Sequence, residues 1–236
     1  MKGNQDTSEL WASEYGSKGL PSSFRQEPSG AVRDFVQTML EGVDPRECIA
    51  MDLGCGTGRN SLYLAERGFT VYAIDIVPGL IAELRRKAEA AGLGSRLRAI
   101  CGSICDPWPV PDSAAGVAID TFCYKHLMDS AGRAAYRHEL ARVLKPGGLF
   151  LLTLASTEDG YYGSLPYRSI EPGMRAIRDP ENGIESVLYE QGAIENSFAR
   201  NFCVVRHLEK RKPGQMHGAE YHRVTHLFLM SRRLEQ

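Results

Sequence analysis

Ten consecutive residues, Ile49-Ala50-Met51-Asp52-Leu53-Gly54-Cys55-Gly56-Thr57-Gly58, constrain this chain more than any other stretch. An apolar run ending in three alternating glycines reads as a buried strand that feeds a tight turn, with a helix to follow. Glycines at that spacing let backbone N–H groups approach a ligand, because no Cβ stands in the way. A second run, Val71-Tyr72-Ala73-Ile74-Asp75, places a carboxylate at the tip of the next strand. Strand, glycine turn, helix and acid-tipped strand make half of a nucleoside-binding site, in which Asp75 accepts from both ribose hydroxyls. Charge-assisted hydrogen bonds of that kind contribute roughly 1.5–3 kcal/mol each when buried.

The spacing discriminates between nucleoside ligands. A dinucleotide fingerprint has a third glycine three positions after the second, where helix and strand pack closely. Here that position is Arg59 or Ser61, depending on which glycine pair starts the count. Asp52 also sets a negative charge beside a turn that would have to hold anionic phosphates. A carboxylate there suits an ammonium group, and S-adenosylmethionine carries an ammonium and a sulfonium but no phosphate. In Asp52, Gly54, Gly56 and Gly58 the chain resembles the class I S-adenosylmethionine-dependent methyltransferases, whose first motif is an acidic residue, any residue, then Gly-x-Gly-x-Gly. A second block, Leu140 to Phe150 with Lys145-Pro146-Gly147-Gly148 at its centre, looks like that family's helix, Pro-Gly-Gly turn and fifth strand. Pro146 cannot continue a helix, the glycines supply the turn, and Leu149 to Leu154 is a buried apolar run.

The alternation of strand-like and helix-like periods from Cys48 to Thr153 predicts an α/β fold, a Rossmann-like doubly wound sheet. Strands are expected near 48–53, 70–75, 96–101, 115–120 and 147–155, and helices near 30–42, 59–68, 79–92 and 130–144. A short helix near 192–200 then leads into apolar runs at 202–208 and 224–230, with a turn around Pro213-Gly214 and Lys210-Arg211-Lys212 at a hairpin tip. By resemblance these runs are the sixth and seventh strands, giving a seven-stranded, mostly parallel sheet with an antiparallel C-terminal strand. The 236 residues fit one methyltransferase domain. Within it, residues 1–29 are read as an N-terminal lid and 156–190, broken by glycines and prolines, as an insertion or cap at the acceptor site.

A net charge of −1 gives no field for steering toward nucleic acid. No apolar stretch reaches membrane-spanning length and the N-terminus lacks a signal core, so the expected location is cytoplasmic. Six cysteines without Cys-x-x-Cys pairing are read as reduced core residues, and His222 and His226 as members of an ordinary sheet face; no metal site is expected. Oligomeric state is not assigned.

The resemblance implies that Asp52 and the Gly54 to Gly58 backbone hold the methionine portion of the cofactor, Asp75 the ribose and Ile76 one adenine face. Where relatives carry an acid after the third strand, this chain has Cys101-Gly102-Ser103-Ile104. Ser103 and Ile104 are therefore assigned to the adenine edge, and Asp106 is either a substitute acid or a turn cap. The segment Asp120-Thr121-Phe122-Cys123-Tyr124-Lys125-His126 should face cofactor and acceptor together, with Asp120 on the cofactor. It lacks the Asn/Asp-Pro-Pro-aromatic motif of enzymes that methylate adenine in nucleic acids. His126 and Tyr124, with Lys125 beside them, are the candidate bases; for His126 the alternative is packing beside the cofactor. Trp11 and Tyr15 resemble the lid of small-molecule methyltransferases of the tellurite- and thiopurine-modifying type, and Arg59-Asn60 fits the same group. Tyr15 is placed on the cofactor, and Tyr161, Tyr162 and Tyr167 in an acceptor pocket; the alternative is that these aromatics pack on the sheet edge.

The expected activity is transfer of a methyl group from S-adenosylmethionine to an oxygen, nitrogen or sulfur of a small molecule. The alternatives are an NAD(P)-dependent oxidoreductase, disfavoured by the missing glycine, and a non-catalytic S-adenosylmethionine-binding protein.

Overall fold

Five parallel strands form the frame in the computed structural model, which describes residues 2–38, 40 and 42–234. They are β1 (Ile49–Leu53), β2 (Thr70–Asp75), β3 (Leu97–Cys101), β4 (Ala115–Thr121) and β5 (Leu144–Ala155). Two C-terminal strands, β9 (Phe202–Met216) and β10 (Ala219–Arg232), complete a sheet of order β3-β2-β1-β4-β5-β10-β9. β10 runs against β5 and β9 runs against β10, so β10 is the reversed strand of this sheet.

Helices cover both faces, as parallel strands require. α3 (Gly30–Thr38), α4 (Arg59–Glu66) and α5 (Pro78–Ala90) accompany one apolar layer, where Leu64, Ile81 and Leu84 meet Ala50, Val71 and Ala73. α6 (Ser130–Val143) and α7 (Gln191–Phe198) cover the other, where Tyr136, Leu140 and Phe198 meet Met51, Leu53 and Phe150. Strand alternation sorts β1 between them: Met51 and Leu53 point to the α6 side, and Ala50 to the α4 side. Local signals set the helix starts. Pro78 opens α5, and the Asp129 side chain accepts from the Gly132 N–H at 2.7 Å to cap α6. The expected extension of α3 through residues 39–42 includes positions 39 and 41, which lie outside the described residues.

Three expectations are corrected. The hairpin turn is at His217-Gly218, both with positive φ, whereas Pro213 and Gly214 pair with His222 and Tyr221 inside the ladder. Lys210, Arg211 and Lys212 are likewise strand residues, paired with Thr225, Val224 and Arg223. β9 is the sheet edge, where a proline needs no ladder donor on its open side and charge discourages edge-to-edge pairing. The region 156–190 is more regular than its glycines and prolines suggest. It holds a second sheet of β6 (Tyr167–Glu171), β7 (Met174–Arg178) and β8 (Glu185–Tyr189), three short antiparallel strands. The cysteines are not all core residues: Cys48 and Cys55 are buried, but Cys101 and Cys203 are exposed.

Candidate active site

The crevice lies at the carboxyl ends of β1, β2 and β4, where an open α/β sheet binds its ligands. The turn after β1 is held by its own backbone. Gly54 and Cys55 both donate to Ile74 O, and Gly58 donates to Cys55 O. Gly54, Gly56 and Gly58 all have positive φ, and a Cβ on each would collide with a side chain: Cys123, Tyr15 and Leu84 in turn. The glycines thus admit three packing partners as well as shaping the turn.

Asp52 sits beneath this turn, wholly buried. Its Oδ2 accepts from Ser61 Oγ at 2.5 Å, while Oδ1 has no hydrogen-bond partner. Burial, opposed by the Ser61 bond, pushes its carboxyl up to about 6. A buried carboxylate oxygen without a partner costs roughly 1–3 kcal/mol or more, and a cationic ligand group offsets that cost. Asp75 Oδ2 accepts from the Gly56 N–H at 2.8 Å and Oδ1 from the Val77 N–H at 3.0 Å. Each oxygen keeps a second lone pair for a ribose hydroxyl. Burial raises this carboxyl too. An adenosyl group with an ammonium therefore fits the residues present: Asp52 for the cation, Asp75 for the ribose.

The end of β4 differs from expectation. Asp120 Oδ1 accepts from Cys123 N at 2.8 Å, and Oδ2 from Tyr124 N and the Tyr136 hydroxyl, both at 2.9 Å. Burial pushes this carboxyl up to about 7. The Asp120 side chain is wholly buried and holds the turn that follows β4. That turn forces Phe122 to φ +70. Such a conformation costs roughly 1–3 kcal/mol for a bulky residue and is typical of functional turns. It leads into a single 3-10 turn, Tyr124–His126. Tyr124 falls on the core side, fully buried among Tyr136, Tyr189 and Phe198, and its hydroxyl accepts from Arg137 at 2.7 Å. It is thereby removed from the candidate bases.

His126 lies on the crevice side. Its ring stands edge-on to Trp11 at 4.7 Å between centroids, and Nδ1 lies 2.9 Å from Glu185 O. A carbonyl oxygen can only accept, so Nδ1 carries the proton and Nε2 is left with a free lone pair. Burial and the neighbouring Lys125 hold the imidazole neutral, well below its ordinary titration range. Beyond β3, Ser103 Oγ accepts from Cys105 N at 3.1 Å, Ile104 is buried in the core, and Asp106 is exposed.

A helix from the N-terminus covers these groups. In α1 (Lys2–Ser17), Ser8, Trp11 and Tyr15 share a face, at helical spacings. Ser8 Oγ donates to Ile76 O at 3.2 Å, Trp11 meets His126, and the Tyr15 hydroxyl lies over Gly56. Burial and the Asp75 charge keep that hydroxyl protonated. Buried polar side chains hold the cover down. The buried Glu14 carboxylate accepts from Leu20 N at 2.5 Å, Ser23 Oγ at 3.0 Å and Asn182 Nδ2 at 2.9 Å, tying α1 to the β7–β8 loop. Asn60 Oδ1 accepts from Ser29 N at 2.8 Å, and its Nδ2 donates to Thr121 Oγ1 at 3.1 Å, joining the N-terminal segment to β4. Tyr161 and Tyr162 are buried packing residues, and Tyr167 is exposed on β6.

Residues 50–148 match the model of a methyltransferase domain family. Over 122 residues, half of this chain, the sequence is 38% identical to a demethylmenaquinone methyltransferase of Thermus thermophilus, covering 52% of that protein. Over 107 residues, 45% of this chain, it is 35% identical to a malonyl-[acyl-carrier protein] O-methyltransferase of Serratia marcescens, covering 38% of that protein. The chain thus spans about half, or less, of the length of these curated relatives. The solved structure of the 1,6-didemethyltoxoflavin-N1-methyltransferase of Burkholderia thailandensis, with bound 1,6-didemethyltoxoflavin and S-adenosylhomocysteine, superposes with a TM-score of 0.68. It is 17% identical, over 96% of this chain and 87% of that one. In its glycine turn, acid-tipped second strand and strand order, together with these likenesses, the chain resembles the class I S-adenosylmethionine-dependent methyltransferases, and residues 50–148 match a methyltransferase domain.

Proposed function

We propose that this chain transfers a methyl group from S-adenosylmethionine to a protic oxygen, nitrogen or sulfur atom of a small molecule, with His126 as the base. The carrying observation is the clamp of His126 Nδ1 on Glu185 O, which leaves Nε2 as a bare acceptor beneath α1. Asp52, Gly54, Gly56, Gly58, Asp75, Ile76 and Tyr15 would hold the cofactor, with Ser103 and Ile104 toward the adenine edge. Bound S-adenosylmethionine supplies a methyl group on a sulfonium, whose displacement releases a neutral thioether and needs no leaving-group acid. The protein's part is then to align the acceptor, exclude water and take one proton. Residues 1–29 serve as lid and 156–190 as acceptor-side roof; the Glu14–Asn182 bond joins them. Enclosure by two chain segments favours a small acceptor over a macromolecule. NAD(P) chemistry is disfavoured by the orphaned Asp52 oxygen, which would face a pyrophosphate.

A screen of metabolite fractions with radiolabelled S-adenosylmethionine tests this. Label should enter a small molecule, and His126→Ala should cut the rate roughly 10²–10⁴-fold while leaving cofactor affinity within a few fold. Label entering protein or nucleic acid instead would overturn the small-molecule assignment.

A further inference from the structure

Lys125, beside His126 on the same turn, has no place in the mechanism so far. It is 3% exposed, and among the described residues it forms no ion pair. Burying an ammonium without a counter-ion costs several kcal/mol, so an uncharged methionine, one atom shorter, would serve packing better. The ammonium nitrogen lies 4.0 Å from the Tyr162 ring centroid and donates to Ser186 Oγ at 3.2 Å. Ser186 Oγ in turn lies 3.2 Å from His126 Nδ1.

The charged groups around Lys125 come from several elements, and the carboxylates among them already have partners. Asp159, after β5, accepts from Arg223 of β10 at 2.8 Å. Asp179, after β7, faces His217 Nε2 at 2.9 Å and accepts from the Tyr161 hydroxyl at 2.8 Å. Arg223 lies over the same Tyr162 ring, 5.3 Å from its centroid. Burial and then the Arg223 charge push the Lys125 ammonium down to about 7, against the weaker pull of Asp159 and Asp179.

We propose that Lys125, acting through Ser186, is the proton store for His126, and that the acceptor therefore arrives carrying a hydroxyl, thiol or N–H proton. The proposal rests on the methyl-transfer reading of the crevice. The balance is simple. The acceptor's proton goes to His126 Nε2 and its bond pair stays on the acceptor atom. The Nδ1 proton leaves its bond to Glu185 O for Ser186 Oγ as the Ser186 hydroxyl proton passes to the neutral Lys125 amine. His126 ends this step neutral, Lys125 ends it as an ammonium, and no oxidant or reductant takes part. After product release Nε2 gives its proton to water and the reverse shift through Ser186 restores the Nδ1 bond to Glu185 O. Lys125 is a positioning residue, since it acts through Ser186.

Nuclear magnetic resonance of protein labelled with ¹⁵N-histidine and ¹³C-lysine, saturated with S-adenosylhomocysteine, tests the chain without any acceptor. The His126 ring should hold its proton on Nδ1 between about pH 6 and 9. Its shifts should bend at the same midpoint as the Lys125 Cε, near pH 7. In Ser186→Ala, Lys125 should still titrate while the bend at His126 loses more than about half its amplitude. In Lys125→Met the bend should vanish; should that variant not fold, Ser186→Ala decides. An independent His126 titration at the ordinary imidazole midpoint, or a bend unchanged in Ser186→Ala, would overturn the proposal. S-adenosylhomocysteine affinity on the same samples separates the two readings. Loss of cofactor binding with the coupling intact sinks methyl transfer, and loss of the coupling with binding intact sinks the relay alone.

Discussion

The hydroxyl oxygen of Tyr15 lies 2.1 Å from the point where a Cβ on Gly56 would stand. α1 and the glycine turn are therefore one packed unit, and Gly56→Ala must either displace Tyr15 or distort the turn, whose φ of +55 already disfavours alanine. The substitution should weaken S-adenosylhomocysteine binding roughly 10–100-fold, the equivalent of about 1.4–2.7 kcal/mol. Calorimetry on Gly56→Ala and Tyr15→Phe checks it, with the second variant expected within about threefold of the parent.

Cofactor binding should depend on pH through Asp52. Burial holds this carboxyl up to about 6, and a cationic group at Oδ1 needs it ionised. Below that pH the affinity should fall, approaching about tenfold per pH unit, with a proton released on binding; well above it the affinity should level off. Asp52→Asn removes the dependence and costs roughly 1.5–3 kcal/mol of binding at pH 8. Calorimetry in buffers of different ionisation heat measures both the affinity and the proton count.

Lys125→Met should stabilise the fold. The folded-state midpoint of about 7 lies below the ordinary lysine value, so the folded protein gives up this proton before the unfolded chain does. The penalty is full below about pH 7 and fades as pH rises toward the unfolded value near 10.4. The gain should be a few kcal/mol at pH 6 and clearly smaller at pH 9, read from urea unfolding midpoints at the two pH values. The Ser186 hydrogen bond lost in the exchange offsets about 1 kcal/mol of it.

The bond between Asn182 and Glu14 ties α1 to the β7–β8 loop. Asn182→Ala leaves one buried Glu14 oxygen without its donor, at a cost of about 1–3 kcal/mol. Amide exchange across residues 7–17 should then accelerate roughly 5–100-fold, while β1 and β4 exchange as before.

The central sheet and its glycine turn are legible in the sequence because their signals are local. Apolar runs, a glycine turn and an acid at the tip of the next strand need no knowledge of the rest of the chain. The hairpin was misplaced because Pro213-Gly214 has better turn chemistry than His217-Gly218, yet an edge strand accommodates the proline. Asp120 and Tyr124 were assigned to the ligand side because strand ends face the crevice. Strand alternation puts Asp120 on the α6 face with Ala118, and the turn at Phe122, with its positive φ, brings Tyr124 N onto the Asp120 carboxylate. Glu14, Asn60, Asn182 and Ser186 act across the fold, up to 168 residues apart in the case of Glu14 and Asn182, so only the assembled sheets bring them together.

Calorimetric titration of the full chain with S-adenosylhomocysteine, and separately with NADH, is the most direct test of the crevice. S-adenosylhomocysteine should bind with a dissociation constant on the order of micromolar, Asp75→Ala should abolish the heat, and NADH should give none. Failure of S-adenosylhomocysteine to bind the parent protein, or NADH binding that Asp75→Ala removes, would contradict the account.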